Sequence, residues 1–148
     1  MAQQYTGGRE RTSAPSAPVV FSGGSAGARP SDVAPTEGFA GRNALLDAAR
    51  ARRSDLLVQL DARVSRVLPD DREGSRHQRF LLRIDDLTVL VAHNLDLADR
   101  VPLERGDSVT VRGEYEWNPK GGVLHWTHDD PAGRHPAGYV RHGGRLYQ

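Results

Sequence analysis

Residues 108–128, SVTVRGEYEWNPKGGVLHWTH, contain the pattern that decides the fold. From Ser108 to Trp117, apolar and polar residues alternate, which is typical of a half-buried β-strand. The run Asn118–Gly122 combines a proline with two glycines and predicts a hairpin loop. A further strand follows over Val123–His128. The stretch therefore predicts a strand, a hairpin loop and a second strand.

Alternating patterns predict three more strands before this hairpin. They cover approximately 58–67, 77–84 and 87–93 and are separated by a polar loop and a short Asp-Asp turn. The alternation slips near Ser65–Val67, which predicts a bulge in the first strand. The segment Asn94–Leu103 breaks the pattern and predicts a short linking element. This order favours a small, all-β, five-stranded barrel of the OB-fold (oligonucleotide/oligosaccharide-binding) type, and the alternative is a small open sandwich.

The rest of the chain divides into an arm, a helix and a tail. Residues 1–41 hold 7 of the 16 glycines and 4 of the 9 prolines, so they predict a disordered Gly/Pro/Ser-rich arm. Residues 42–54 predict a short helix, from Ala44 to about Arg53 with Asn43 as its N-cap. Residues 55–148 are expected to form the OB-like domain with a C-terminal tail.

The composition restricts the compartment and the chemistry. The chain has no cysteine, which excludes disulfides and thiolate metal sites. The N-terminal region has no apolar run long enough for a signal peptide or a membrane span, so we expect a cytoplasmic protein. The sequence also lacks the Gly-x-Ser-x-Gly elbow, the phosphate loop and the His-Glu-x-x-His motif.

The charge balance bears on nucleic-acid binding. The whole chain has a net charge of +1, but from Asp55 onward 12 arginines and Lys120 oppose 15 acidic residues, which gives −2. Strong non-specific binding of nucleic acid usually needs an excess of positive charge. The barrel region lacks that excess, so only a local basic stripe would support such binding.

Aromatic and histidine side chains are concentrated in the second half of the chain. Aromatic rings stack on bases and sugar rings, and polar residues at strand ends often line binding sites. We therefore predict a non-enzymatic binding module for single-stranded nucleic acid or another polyanionic or ring-bearing ligand. The predicted ligand-binding residues are Trp117, Trp126, Tyr115, His77, His93, Asn94, His125 and His128. For each aromatic residue the alternative role is core packing.

The competing hypothesis is a metal-dependent hydrolase or nuclease. His93, His125, His128 and Asp129 would hold a divalent metal such as zinc, manganese or nickel, and no other cofactor is expected. If residues 125–128 are extended, however, His125 and His128 face opposite sides of the strand. The histidines would then form hydrogen bonds at the barrel rim. Glu114 and Glu116 share one face of the preceding strand, where a carboxylate with a histidine would suit general acid–base chemistry.

Several blocks resemble one known family. The segments DREGSRHQRF (71–80), VAHNLDLA (91–98) and EYEWNPKGGVLHWTH (114–128), with the C-terminal residues 138–148, are similar to a family of small bacterial proteins known as a domain of unknown function. The resemblance covers about three-fifths of the chain. It implies an OB-type barrel, which in some relatives is described as nucleic-acid binding. Some relatives carry secretory or lipoprotein leaders, in place of which this chain has its Gly/Pro/Ser-rich arm.

Overall fold

A computed structural model describes residues 38–148, and most of that part is β-sheet. The predicted arm, residues 1–41, therefore lies outside the described residues except for its last four. The secondary structure elements in chain order are α1 (Arg42–Arg50), β1 (Leu56–Asp71), β2 (His77–Ile84), β3 (Leu87–Asn94), β4 (Ser108–Glu116), β5 (Val123–His125), β6 (Tyr139–His142) and β7 (Arg145–Tyr147). The prediction of an all-β domain preceded by a short helix is confirmed.

Five of these strands close into a ring. Strand β1 pairs with β4 through its first half and with β2 through its second half. The order continues from β2 to β3, from β3 to β5 in parallel, and from β5 back to β4. Strand β1 can pair with both β2 and β4 because it has 16 residues and shifts register between Val64 and Arg66. This irregularity is the predicted bulge, which allows a strand to bend.

The hydrophobic core fills the inside of the ring. Its largest fully buried side chains include Tyr115, Phe80, Leu82, Ile84 and Leu124. They come from alternate positions of β2, β4 and β5, as a half-buried strand requires.

Helix α1 packs against this core. Its residues Leu45 and Ala48 are buried. The N-cap is Gly41, so the predicted N-cap, Asn43, lies within the first turn instead. Just before the helix, Ala40 pairs with Val58 of β1. Among residues 38–148, no helix has the length and apolar character needed to cross a membrane.

A polar side chain also lies inside the ring. Gln78 is 2 % exposed and follows the inward alternation of β2. Its Nε2 donates to the Val101 carbonyl at 2.7 Å, and its Oε1 accepts from the Val101 amide at 2.9 Å. Both polar groups of the side-chain amide are therefore paired, which offsets the cost of burying them. The pair attaches the β3–β4 connection to β2.

The C-terminal part differs from the prediction. The fifth strand ends at His125 and not at His128, because Trp126 adopts a left-handed conformation with φ 58°. The chain then makes a loop and returns as β6, which pairs with β4 beyond the end of β5. Strand β7 pairs with β6. The residues expected to form a tail thus add two strands to the sheet.

Candidate functional site

The outer side of β1 and β2 carries a group of arginines. Paired residues of antiparallel strands lie on the same side of a sheet. Arg63 pairs with Arg83, Arg66 pairs with Leu81, and Leu81 pairs with Leu90. These residues alternate with buried ones such as Phe80, so they point away from the core. We call this surface the basic strand face, and it consists of Arg63, Arg66, Arg79, Leu81, Arg83 and Leu90.

Three of the four arginines of the basic strand face donate hydrogen bonds to backbone carbonyls. Arg63 donates to Gly106 at 2.9 Å, Arg79 donates to Pro69 at 3.0 Å, and Arg83 donates to Asp85 at 2.7 Å. Within residues 38–148, none of the face's four guanidinium groups forms an ion pair with a carboxylate.

Some arginines elsewhere in the domain are paired with acids. Arg50 pairs with Asp47, Arg100 pairs with Asp70, and Arg145 pairs with Asp99. These three guanidinium groups each have a carboxylate partner, whereas the four of the basic strand face have none within residues 38–148.

Tyr115 is part of the core. It is fully buried, and its hydroxyl donates to the Gly121 carbonyl at 2.8 Å. Burial raises the pKa of this hydroxyl, because the charged form loses its hydration. Gly122 lies against the ring, since a Cβ at that position would lie 2.3 Å from Cε1 of Tyr115. The structure thus places this predicted ligand residue inside the ring, where it fixes the β4–β5 hairpin.

His93 is also buried. Its Nε2 faces the Asp99 carbonyl at 3.0 Å, and its Nδ1 faces the Thr127 hydroxyl at 2.8 Å. A carbonyl oxygen can only accept, so Nε2 carries the proton and Nδ1 accepts from Thr127. Burial lowers the pKa of His93 to about 4, because the charged imidazolium is poorly solvated there. The ring is neutral at pH 7, and both of its nitrogens are engaged.

Trp126 lies in a loop held together by Asp130. The Asp130 carboxylate accepts hydrogen bonds from the backbone amides of Ala132, Arg134 and His135, each at 2.9 Å. These bonds lower the pKa of Asp130. The loop places the His135 ring parallel to the indole of Trp126, with 4.1 Å between the ring centroids.

His128 lies on the same loop as Trp126. Its ring is tilted against the indole, with 5.3 Å between the centroids, and is 5 % exposed. Its Nδ1 donates to the Asp129 carbonyl at 2.7 Å. His128 therefore packs within the loop.

Two carboxylates and two histidines meet on the outer side of β4 and β5. His125 Nε2 lies 2.9 Å from Glu116 Oε2, and His135 Nε2 lies 2.6 Å from Glu114 Oε1. We call these four residues the Glu–His cluster. The shared face of Glu114 and Glu116 follows from strand alternation, but the arrival of His135 does not. His135 follows a turn set by Asp130, so its approach to β4 depends on tertiary structure.

The remaining predicted ligand residues lie apart from the cluster. Trp117 is half-buried, with the Arg52 guanidinium 5.6 Å from its ring centroid and its amide donating to Ser54 at 3.0 Å. His77 and Asn94 form the pair of the β2–β3 hairpin that lies furthest from its turn. The eight predicted residues are therefore spread over the core, the Trp126 loop and separate parts of the surface.

A comparison with protein families matches residues 31–148 to DUF3465, described as a protein of unknown function. The chain belongs to this family. The match extends further toward the N-terminus than the resembling segments, the first of which begins at Asp71. A comparison with curated proteins finds no matching relative.

In this DUF3465 chain, the four residues predicted to hold a metal do not form one group. Within residues 38–148, the group of three or more ligand atoms close enough to share an ion consists of Glu114, Glu116 and His125. Only His125 belongs to both sets. His93 and His128 are turned inward, since each is at most 5 % exposed.

Proposed function

We propose that the five-stranded ring is an OB-type barrel that binds single-stranded nucleic acid on the basic strand face. The observation that carries this proposal is the set of four arginines on the outer side of β1 and β2 that have no carboxylate partner within residues 38–148. Because phosphate contacts supply most of the affinity for single strands, uncompensated guanidinium groups favour a polyanion.

The position of the arginines supports the same ligand. OB-type barrels bind oligonucleotides and oligosaccharides on the face of their second and third strands. In this chain, that face carries Arg79 and Arg83 on β2. Between them lie Leu81 and its cross-strand neighbour Leu90, both partly exposed. The leucines offer apolar contact to bases, and the arginines offer contacts to the phosphates on either side.

The proposed ligand surface differs from the predicted one in its stacking groups. Tyr115 is buried and therefore belongs to the core. Trp117 and Trp126 are partly exposed, so they remain candidates for stacking on bases.

The test is a fluorescence anisotropy titration of the full chain with a labelled 20-nucleotide single strand at several salt concentrations. The triple variant R66Q/R79Q/R83Q removes three uncompensated charges. The matched control R50Q/R100Q/R145Q removes three arginines that are paired with carboxylates. Circular dichroism checks that both variants are folded.

We expect the first variant to lose at least tenfold in affinity and the control to lose no more than about twofold. The salt slope of the first variant should fall by about 2, because each lost phosphate contact contributes roughly 0.7 for a single strand. Equal losses in the two variants, or no binding by the wild type, would overturn the proposal. If duplex DNA or a sulfated oligosaccharide competes better than the single strand, the proposed ligand is wrong.

A further inference from the structure

The Glu–His cluster has the composition of a metal site. Glu114 lies opposite His125 across the β4–β5 pair, and Glu116 is two residues further along β4 on the same side. The ligand atoms of these three residues all lie within 4.8 Å of one another. One imidazole nitrogen and two carboxylate oxygens are donors that suit a divalent transition metal.

The charges at the cluster favour a cation. Within the described part of the chain, neither Glu114 nor Glu116 forms an ion pair with an arginine or a lysine, and their partners are the two histidines. Strand alternation places both glutamates on one side of β4, so their two carboxylates lie side by side. Like charges at this separation repel each other. A divalent ion between them would remove that repulsion.

An independent set of contacts orients Glu114. His135, which bonds Oε1 of Glu114, stacks on Trp126 and donates from Nδ1 to the Pro136 carbonyl at 2.8 Å. Its own backbone amide is held by Asp130 at 2.9 Å. The carboxylate of Glu114 is thus fixed through one oxygen, and its other oxygen remains available. Supporting groups that orient the residues contacting an ion are a regular feature of metal sites.

We propose that Glu114, Glu116 and His125 bind one Zn²⁺-type divalent ion, with His135 positioning Glu114. The ion takes the place of the hydrogen bond between His125 and Glu116, and the proton of the neutral imidazole shifts through solvent from Nε2 to Nδ1, which leaves the Nε2 lone pair for the ion. Three protein ligands leave a fourth tetrahedral position open. This site is separate from the proposed nucleic-acid surface and does not depend on it.

The test is isothermal titration calorimetry, in which Zn²⁺ is titrated into the chelator-treated full chain at pH 7.5. We expect a single site, weakened at least tenfold in His125→Ala and in Glu116→Gln. Both side chains are well exposed, at 31 % and 48 %, so both variants should fold. The melting temperature of each variant in chelator checks this.

His142→Ala is the matched control. His142 also pairs with one carboxylate, since its Nε2 lies 3.0 Å from Oδ2 of Asp107, but no second acid joins them. Its substitution should leave the affinity within twofold of wild type. The proposal is overturned if Zn²⁺ does not bind stoichiometrically, if His125→Ala binds like wild type, or if His142→Ala weakens binding as much as His125→Ala does.

Discussion

The hydroxyl of Thr127 donates a hydrogen bond to Nδ1 of His93 inside the protein, with 2.8 Å between the two heteroatoms. Both residues are fully buried, and they join β3 to the segment that follows β5. The bond fixes the His93 tautomer, because the other ring nitrogen must then donate to Asp99. His93, which the sequence marks as a candidate ligand residue, thus has a structural role, because it connects β3 to the segment after β5.

The buried imidazole makes the stability depend on pH. The pKa of His93 is about 4 in the folded protein and 6.5 when it is unperturbed, so the unfolded chain binds a proton first as the pH falls. The free energy of unfolding should therefore fall between pH 6.5 and about 4, by up to about 3 kcal/mol from this residue. Urea denaturation at several pH values measures the change. His93→Gln should show a distinctly shallower fall, and an unchanged fall in that variant would contradict the assignment.

Thr127→Val tests the hydrogen bond itself. Valine keeps the shape of threonine but leaves Nδ1 of His93 without a donor inside the protein. We expect a loss of about 1–3 kcal/mol in the free energy of unfolding, as is usual for a buried group left unpaired. Chemical denaturation at pH 7.5 measures it. In His93→Gln, the same threonine substitution should cost less, and equal costs in both backgrounds would rule out a direct interaction between the residues.

Gln78→Met should destabilise the domain strongly. Methionine fits the space but leaves the amide and the carbonyl of Val101 without the partners that Gln78 provides. We expect a loss of about 3 kcal/mol, because two buried backbone groups lose their hydrogen bonds. Arg79→Met, at the next position on the outer side of β2, should change stability by less than about 0.5 kcal/mol. Thermal denaturation of the two variants gives the comparison, and similar melting temperatures would show that the Gln78 pair contributes little.

Gly113→Ala should disrupt the junction of β4 with β5. A Cβ at this position would lie 2.4 Å from the His125 carbonyl oxygen. This oxygen belongs to the backbone, so it cannot move without shifting the strand. We expect a loss of more than about 2 kcal/mol, since the strands must separate to admit the methyl group. The control is Gly74→Ala, where a Cβ meets nothing within 4 Å and only the positive φ of 69° opposes the change. That variant should lose about 1 kcal/mol. If urea denaturation finds equal losses, close packing at Gly113 is not the cause.

The five strands of the ring could be predicted because one side of each is buried. Burial of alternate residues gives the sequences of β1 to β4 an alternation of apolar and polar residues. The interruption of this alternation near Ser65 coincides with the register shift of β1. Gln78 follows the inward alternation of β2 despite its polarity, because Val101 satisfies its side-chain amide. These features depend on local pattern, which a single sequence contains.

The C-terminal elements could not be predicted in the same way. Strands β6 and β7 have four and three residues, too few for a periodic pattern, and they exist because the edge of β4 beyond β5 is available for pairing. The end of β5 depends on the left-handed backbone of Trp126, a conformation that a tryptophan seldom adopts. The predicted facing of His125 and His128 rested on an extended segment that the protein does not contain.

The two candidate surfaces could not be predicted from the sequence, for a similar reason. A net charge of −2 for residues 55–148 averages over parts of the outer surface that differ in sign. Only the pairing of Arg63 with Arg83, and of Arg66 with Leu81, shows that these arginines share one side. In the same way, His135 meets Glu114 through a loop whose course is set by Asp130. Register and loop geometry determine both surfaces.

The double use of β1 has a consequence for the rate of folding. The β2–β3 hairpin joins near neighbours in sequence, such as Ile84 and Leu87, whereas β1 meets β4 by pairing Leu56 with Tyr115. Bringing distant segments together costs chain entropy before any stabilising contact forms. Folding therefore slows as the sequence separation of the contacts grows. We therefore expect β1, β2 and β3 to assemble quickly. The pairing of β4 with β1 should limit the rate of refolding. A flexible insertion in the β3–β4 connection lengthens the segment between β1 and β4, so it should slow refolding.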